Sequence, residues 1–382
     1  MSEYVYRQPL LTKKGRLKEP GWTPEDIFAY NKERLPFASR RREWEFYQVT
    51  GSRFAFRVSY GHGPGAGRAE AVLVDFETGE KVRSGRLRML PGDGMDLDFA
   101  PGEPHTVKYE DDKLLLSLGF DGERRRVVVR SDRFDAEITA PETGDAIVTA
   151  LPLAKRTYFL YQMRRVYTDL GGHLHMHKLD YPMDEGTFMV LSSGRGVLPF
   201  RSRRIWAAGA WETESGTLGV SLGEDNGPDD APTENALFFN GEIQKLGRVN
   251  FKFDHGKLDS TWRMTDMNRR IRLEFRPVTI EPSGSCTAAA QQMPPKPLPA
   301  AAPAAAASRA GTTTGRSVSF RPAASMIERR RFIVASVARP RARSEPPLRK
   351  RRTISWREAS WTRSSSAIAK PTLLTPMSVG ER

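Results

Sequence analysis

Three histidines alternate in the stretch GHLHMH at residues 172–177, and their spacing suits metal chemistry. On a β-strand, alternation places His173, His175 and His177 on one face. Imidazole nitrogens are common zinc ligands, and three of them with one open position can activate water. Alternate residues lie about 6.6 Å apart, so a bulge is needed before all three reach one ion. The stretch predicts either a divalent metal site or an amphipathic strand whose polar face meets solvent.

A second candidate lies where an acidic, turn-rich loop ends in Glu234 and Asn235 and an apolar strand follows. A glutamate at the mouth of a pocket can act as a general acid or base, so Glu234 is the predicted catalytic residue. The alternative is structural, because acidic and amide side chains also hold turns by hydrogen bonding to nearby backbone.

Aromatic residues near the middle of the chain predict a ligand site. Trp206 and Trp211 are five residues apart, so an ideal strand points them to opposite faces. One of them is expected in the core, and the other can line a cavity. Arg195 lies between two glycines and can meet a carboxylate or another anion, or stabilise a loop. The predicted ligand-binding residues are therefore the following: Arg195, Phe200, Trp206, Trp211 and Asn235.

Cofactor signals are weak in this sequence. The glycine-rich stretch at residues 61–67 lacks the Lys-Ser/Thr ending of a phosphate loop, and a strand rather than a helix follows it. No ordered Ser, His and Asp set stands out either. We expect no cofactor.

Composition sets the compartment and the class of partner. The chain of 382 residues has one cysteine, Cys286, which excludes an intrachain disulfide and a cysteine metal cluster, and a reducing cytoplasm is expected. It has no run of about 18 apolar residues, so no membrane span is expected. The net charge is +14, but residues 287–382 hold 15 Arg and 3 Lys against 4 Glu. The preceding part is therefore neutral, and nucleic-acid binding is expected only through the basic tail.

Residues 283–382 differ in composition from the rest of the chain, because Ala, Pro, Ser and Arg dominate them. Such a segment buries too little apolar surface to offset the entropy of ordering, which predicts a disordered tail. A second hypothesis is that the segment is translated out of frame, since a GC-rich frame read wrongly yields these same residues.

Period-two patterning runs through the middle of the chain, with short aromatic strands separated by turn residues. It predicts an all-β antiparallel barrel or sandwich. We divide the chain into a lead-in at 1–42 with a short helix from Thr23 to about Arg34, a first β unit at 43–156, a second β unit at 157–282, and the tail.

Four motifs follow one another in a fixed order: EWEFY at 43–47, GRGVLPF at 194–200, TENALFF at 233–239 and RLEFRP at 272–277. Together they resemble a bacterial family, the domain of unknown function 2804 family. The resemblance spans roughly residues 8 to 280. It departs at Ser192 and Ser193, where the family usually has Asp-Trp, and in the closing segment. It implies a lipocalin-like fold similar to proteins of carotenoid hydration and tocopherol cyclisation, and it implies no established activity.

Three functions remain open at this point. The first is binding of an apolar small molecule, such as a lipid or isoprenoid, in a β cavity. The second is an enzyme in that cavity, performing acid–base hydration, cyclisation or isomerisation. The third is association with nucleic acid through the tail. Inward-facing Glu or His side chains would favour the second.

Overall fold

The structure is a computed structural model, and it describes residues 7–35, 37–64, 66–88, 95–153, 157–199, 204–224, 232–254, 256–280, 285–292 and 331–338. Within these ranges the chain is all-β, as predicted, with two 3-10 helices at Lys32–Arg34 and Ala38–Arg40. No helix in the described ranges has the length and apolar character needed to cross a membrane.

Strands in the first half of the chain are β1 Gln8–Pro9, β2 Gly21–Thr23, β3 Phe28–Ala29, β4 Arg41–Thr50, β5 Phe54–Gly63, β6 Ala66–Asp75, β7 Lys81–Arg88, β8 His105–Glu110, β9 Leu114–Phe120, β10 Arg124–Ser131, β11 Phe134–Pro141 and β12 Ile147–Pro152. Strands in the second half are β13 Phe159–Tyr167, β14 Gly171–Met176, β15 Leu179–Asp180, β16 Phe188–Val197, β17 Arg204–Thr213, β18 Gly216–Glu224, β19 Ala236–Phe239, β20 Glu242–Lys245, β21 Val249–Lys252, β22 Trp262–Asp266, β23 Arg272–Ile280, β24 Ser285–Gln292 and β25 Arg331–Ala338.

Three large sheets form the body. The outer sheet has the order β15-β14-β11-β10-β9-β8, and the central sheet has the order β2-β12-β13-β16-β4-β5-β6-β7. The C-terminal sheet has the order β20-β19-β18-β17-β25-β24-β23-β22-β21. A short parallel pair, β1 with β3, stands apart from them. The described strands form a sandwich and do not close into a barrel.

The central sheet is covered on both faces. One face packs against the outer sheet, as where Phe56 meets Phe134 edge-on with ring centroids 5.7 Å apart. The other face packs against the C-terminal sheet, as where Phe46 meets Trp206 at 6.0 Å. Every residue of β16 is consequently buried, whereas the outer strand β9 alternates buried and half-buried positions. A sheet with two covered faces loses the alternation that a half-exposed sheet shows.

The central sheet takes strands from both predicted β units. β12 pairs with β13 across the boundary set at residues 156 and 157, and β4 pairs with β16. The layers therefore do not divide at that boundary.

The lead-in differs from its prediction, since its short helix is the 3-10 turn Lys32–Arg34 rather than a helix beginning at Thr23. The reason lies in Asp26, whose carboxylate accepts hydrogen bonds from Tyr161 and from the Gly102 amide instead of facing helix amides. These distant partners hold the segment extended.

Two segments of the predicted tail are strands of the C-terminal sheet. β24 pairs with β23 and β25 pairs with β17, so together they join two groups of strands. β25 carries the sequence RFIVASVA, whose β-branched residues suit a strand. The rest of 283–382 lies outside the described residues, and its disorder stays a prediction.

Candidate functional site

Strand β4 carries two glutamates into the interior between the central and outer sheets. Glu43, Glu45 and Tyr47 lie on one face by alternation, and Trp44 and Phe46 face the C-terminal sheet. Both glutamate side chains are completely buried. Buried carboxylates need charged or hydrogen-bonding partners, so their surroundings decide the chemistry.

Strand register brings those partners from distant parts of the chain. Arg195 on β16 lies opposite Glu43 on one side, and His62 on β5 lies opposite it on the other. Tyr161 on β13 lies opposite Arg195. A cross-strand row of four polar side chains therefore crosses the central sheet near one end.

Glu43 accepts hydrogen bonds at both oxygens. Tyr30 donates to Oε1 at 2.5 Å, the Leu97 amide donates to Oε2 at 2.9 Å, and His62 Nε2 lies 3.0 Å from Oε2. Burial raises the pKa of Glu43, but these hydrogen bonds outweigh it and hold the pKa at about 2. Burial and the nearby carboxylate raise the pKa of Tyr30 well above its ordinary value, so the phenol stays a donor.

Glu45, two residues further along β4, has a similar set of partners. Ser193 donates to Oε1 at 2.7 Å and Tyr47 donates to Oε2 at 3.2 Å, while His105 Nε2 lies 3.4 Å from Oε2. Burial raises the pKa of Glu45, and contact with His105 and the charges of two arginines, Arg125 and Arg195, lower it to about 2. Both glutamates are therefore ionised at neutral pH.

The glycines beside Arg195 allow close approach of both neighbouring strands of β16, which are β4 and β13. A Cβ on Gly194 would lie 2.2 Å from the Trp44 ring, and a Cβ on Gly196 would lie 2.4 Å from the Phe159 carbonyl oxygen. Neither contact is sterically possible, which explains the Gly-Arg-Gly motif physically. Arg195 itself is completely buried, and its Nη1 donates to the carbonyl oxygens of Trp44 and Gly194.

Residues 95–103, which we name the capping segment, bridge the central and outer sheets at this end. The Leu97 amide binds Glu43, and the Phe99 carbonyl accepts from Arg195 Nε at 3.3 Å. The Phe99 ring stacks on His105 with centroids 3.9 Å apart. The Pro101 carbonyl accepts from Arg125 at 3.0 Å. One short segment therefore touches both glutamate clusters and covers them.

The cluster reaches the surface through Asp96, whose Oδ1 lies 3.1 Å from His62 Nε2. Ligand atoms of Glu43, His62 and Asp96 all lie within 4.8 Å of one another, which is the composition of a divalent-cation site. Arg41 Nη2 donates to the same Asp96 oxygen at 2.6 Å, and Lys32 also contacts that carboxylate. Two cationic side chains already supply the positive charge there, so we interpret the group as an ion-pair network.

Glu234, the predicted catalytic residue, lies on the other side of the central sheet. It is buried and faces Arg164 Nη2 at 3.2 Å, between the central and C-terminal sheets. The Asn235 side chain forms hydrogen bonds with two backbone groups. Its Oδ1 accepts from the Gly223 amide at 2.5 Å, and its Nδ2 donates to the Gly247 carbonyl oxygen at 2.9 Å. Asn235 therefore holds strand ends together, while a catalytic role for Glu234 stays a prediction.

The two tryptophans point to opposite faces of β17, as alternation predicts. Trp206 packs between the central and C-terminal sheets, beneath the Arg164 guanidinium at 4.3 Å. Trp211 belongs to the separate core of the C-terminal sheet. Phe200 lies outside the described residues. Of the predicted ligand residues that the structure describes, only Arg195 belongs to the site around Glu43 and Glu45.

His173 and His175 lie side by side on β14, with ring centroids 4.8 Å apart. His173 pairs with Asp135 at 2.8 Å and His175 pairs with Asp180, on the exposed face of β14. His177 lies beyond the strand in a turn with φ of 56°, so it does not continue the alternation. Each imidazole faces a different carboxylate, that of Glu80 in the case of His177 at 3.6 Å, and the metal site stays a prediction.

Sequence reasoning missed Glu43, Glu45, His62 and His105 as site residues. The motif EWEFY at 43–47 was the available signal, because it puts two acids on one face of an aromatic strand. An acid on a strand usually faces solvent, however, and only the pairing with β16 shows that this face is interior.

A separate cavity of about 160 Å³ lies between the end of β13 and the C-terminal sheet, with Thr143, Asp169, Thr217 and Asn240 in its lining. It does not include either buried glutamate.

Comparison with known proteins gives a family and related folds. The profile of a family described as Domain of unknown function (DUF2804) matches residues 1–283. Kievitone hydratase from Nectria haematococca is 11% identical, with a TM-score of 0.46 over 87% of this chain and 98% of that one. CghA, solved with Sch210972, is 12% identical, with a TM-score of 0.43 over 73% of this chain and 90% of that one. Neither likeness bears on the reaction. No curated protein matches the sequence.

Proposed function

As this chain belongs to the DUF2804 family, whose description states no activity, we propose its function from its own residues. It is an enzyme that moves protons on a small molecule at the capped end of the sandwich. The observation that carries the proposal is the pair of buried carboxylates, each in contact with an imidazole and both facing the sandwich interior.

The two carboxylate–imidazole pairs have different positions. His62 lies beside the surface cluster with Asp96, whereas His105 lies beneath Phe99. Histidine is the side chain that most readily exchanges protons near neutral pH, and an adjacent carboxylate orients it. We assign proton transfer to His62 and orientation of its imidazole to Glu43. His105 faces the Glu103 carbonyl oxygen with Nδ1 at 2.7 Å and Glu45 with Nε2 at 3.4 Å, so we assign it the positioning of Glu45.

The reaction class is addition of water, ring closure or isomerisation. In hydration, the His62 imidazole removes a proton from water as the oxygen adds to a polarised double bond. The same imidazolium then returns that proton to the neighbouring carbon, so the sum is the addition of one water and the histidine is restored. Ring closure and isomerisation use the same two transfers, and none of the three needs a redox cofactor.

Binding of an apolar small molecule without chemistry stays the alternative. A carrier needs an apolar lining, and it gains nothing from buried acids whose desolvation opposes folding. The two Glu–His pairs therefore favour the enzyme.

Labelled water tests the proposal without a known substrate. Small molecules extracted from the cells that make the protein are incubated with it in water enriched in heavy oxygen, and in a parallel sample in deuterium oxide. Hydration adds a heavy-oxygen label to a product, and isomerisation or ring closure adds deuterium. Mass spectrometry should show new labelled features that a heat-inactivated sample lacks.

Variants connect any labelling to the site. His62→Gln should lower labelling by about 10²-fold or more, the usual contribution of a general acid or base, and Glu43→Gln, which removes the carboxylate that orients His62, should lower it as well. His175→Gln, which alters an exposed imidazole on β14, is the matched control and should label normally. Labelling that survives in both site variants, or is absent from the unaltered protein, contradicts the proposal.

A further inference from the structure

Two arginines from opposite layers of the sandwich face its interior near Glu45. Arg195 extends from β16 of the central sheet, and Arg125 extends from β10 of the outer sheet. Both are completely buried. A guanidinium stays charged in proteins, so each must find acceptors for its five N–H groups.

Among the residues that the structure describes, each arginine has one terminal nitrogen without a hydrogen-bond acceptor. Arg195 Nη2 has none, and its nearest carboxylate oxygen, on Glu45, is 3.9 Å away. Arg125 uses Nε and Nη2 on Glu142 at 3.2 Å each, and its Nη1 has none. A buried donor left unpaired opposes folding, more strongly when the group is charged, so such donors call for an explanation.

The capping segment links the two arginines. Arg195 Nε donates to the Phe99 carbonyl, and Arg125 Nη2 donates to the Pro101 carbonyl, two residues further on. Each guanidinium also lies against an aromatic ring, Arg195 at 5.0 Å from Phe99 and Arg125 at 3.7 Å from Phe120. Aromatic surface therefore lies beside both unfilled donors.

We propose that the unfilled N–H groups of Arg195 and Arg125 bind the carboxylate of the substrate, whose apolar part lies against the aromatic rings beneath the capping segment. The inference rests on the proposed function, which places a small molecule at this end of the sandwich. It adds the substrate class: a carboxylic acid with a flat apolar body.

Chemistry favours a carboxylate over a neutral ligand. A carboxylate has two oxygens with about four acceptor positions, and its charge-assisted bonds to guanidinium are about twice as strong as neutral ones. Glu142 already binds the edge of Arg125 formed by Nε and Nη2, so Nη1 remains for a second anion. The Phe99 and Pro101 carbonyls are neutral acceptors, which bind a guanidinium less strongly than a carboxylate does.

Benzoate is the probe, and benzyl alcohol is its uncharged counterpart of similar size. Calorimetric titration of the full-length protein at neutral pH should show saturable binding of benzoate and at least tenfold weaker binding of benzyl alcohol. Thermal unfolding should shift upward with benzoate in the same concentration range, as for any ligand that binds only the folded chain. This comparison needs only the unaltered protein.

Lysine in place of Arg125 keeps the charge and removes the planar fork, so Arg125→Lys should weaken benzoate binding about tenfold. The matched control is Arg126→Lys on the same strand, because Arg126 points to solvent and pairs with Glu137. It should bind benzoate as the unaltered protein does. Equal binding of both probes, no binding of benzoate, or equal weakening in the two variants overturns the inference.

The outcomes separate this inference from the proposed function. Labelling from heavy water without benzoate binding would keep the function and remove the arginine site. Benzoate binding without any labelling would keep the arginine site and remove the catalytic proposal.

Discussion

The stability of the chain should depend on pH through Glu45, and Glu45→Gln isolates that dependence. The pKa of Glu45 is 4.5 in an unfolded chain and about 2 in the folded one. At about 1.4 kcal/mol for each pKa unit, ionised Glu45 contributes on the order of 3 kcal/mol to the free energy of unfolding at neutral pH. The side chain is completely buried, so solvent screening does not reduce this figure.

The sign follows from the lowered pKa. Stability is fully present above the unfolded value of 4.5 and is lost as pH falls toward about 2, because the unfolded chain takes up the proton first. By about pH 3, roughly 2 of the 3 kcal/mol should be gone. The gap between the unaltered protein and Glu45→Gln should therefore narrow by about 2 kcal/mol between about pH 6 and about pH 3.

Urea unfolding followed by tryptophan fluorescence measures this gap at each pH. Comparing the two proteins cancels the other titrating groups that they share. Glu123→Gln, which alters an exposed turn residue, is the control and should track the unaltered protein throughout. If the gap for Glu45→Gln is the same at both pH values, the carboxylate is not held in its ionised form, and the reasoning about the site fails.

Three further predictions concern a tightly packed glycine, a buried ion pair and two strand edges. Gly194→Ala should lower the free energy of unfolding by about 1–3 kcal/mol, because its methyl group meets the indole ring above it, whereas Gly21→Ala, with open space around it, should change the urea midpoint little. Glu234→Gln should lower the free energy of unfolding by about 3 kcal/mol, because it leaves Arg164 charged and buried, and a smaller loss in thermal unfolding would show that other contacts hold that arginine. Deleting residues 284–382 should cause association at micromolar concentration in light scattering, because it exposes the edges of two strands, and a monomeric, stable product would contradict the pairing.

The presence of a strand was predictable from the sequence where one face of its sheet meets solvent. In the outer sheet, β11 alternates buried and half-buried residues, and Asp121-Gly122 closes the hairpin before β10 as its turn signal predicts. Asp121 Oδ1 accepts hydrogen bonds from the backbone amides of Glu123 and Arg124, and such side-chain-to-backbone bonds are typical of these turns. Local residue types decide these features, so one sequence is enough.

The layers and the site were not predictable in the same way. Glu43 and Glu45 look like solvent-facing positions of an amphipathic strand, and only contact with Ser193 and Arg195, far along the chain, shows their burial. Arg195 was singled out because two glycines flank it, yet its partners come from register. Glu234 was singled out by its motif, and its burial against Arg164 depends on how two sheets stack.

The pairing of β4 with β16 has a consequence for protein synthesis. Trp44 Nε1 donates a hydrogen bond to Ser192, which lies 148 residues further along the chain. The middle of the central sheet therefore cannot form until the ribosome has added β16, which ends at Val197. Until then the hairpin of β4 and β5 presents the unpaired edge of β4 to solvent or to a chaperone. Translation speed and chaperone supply, more than the final stability, should therefore set the yield of native protein from a given expression host.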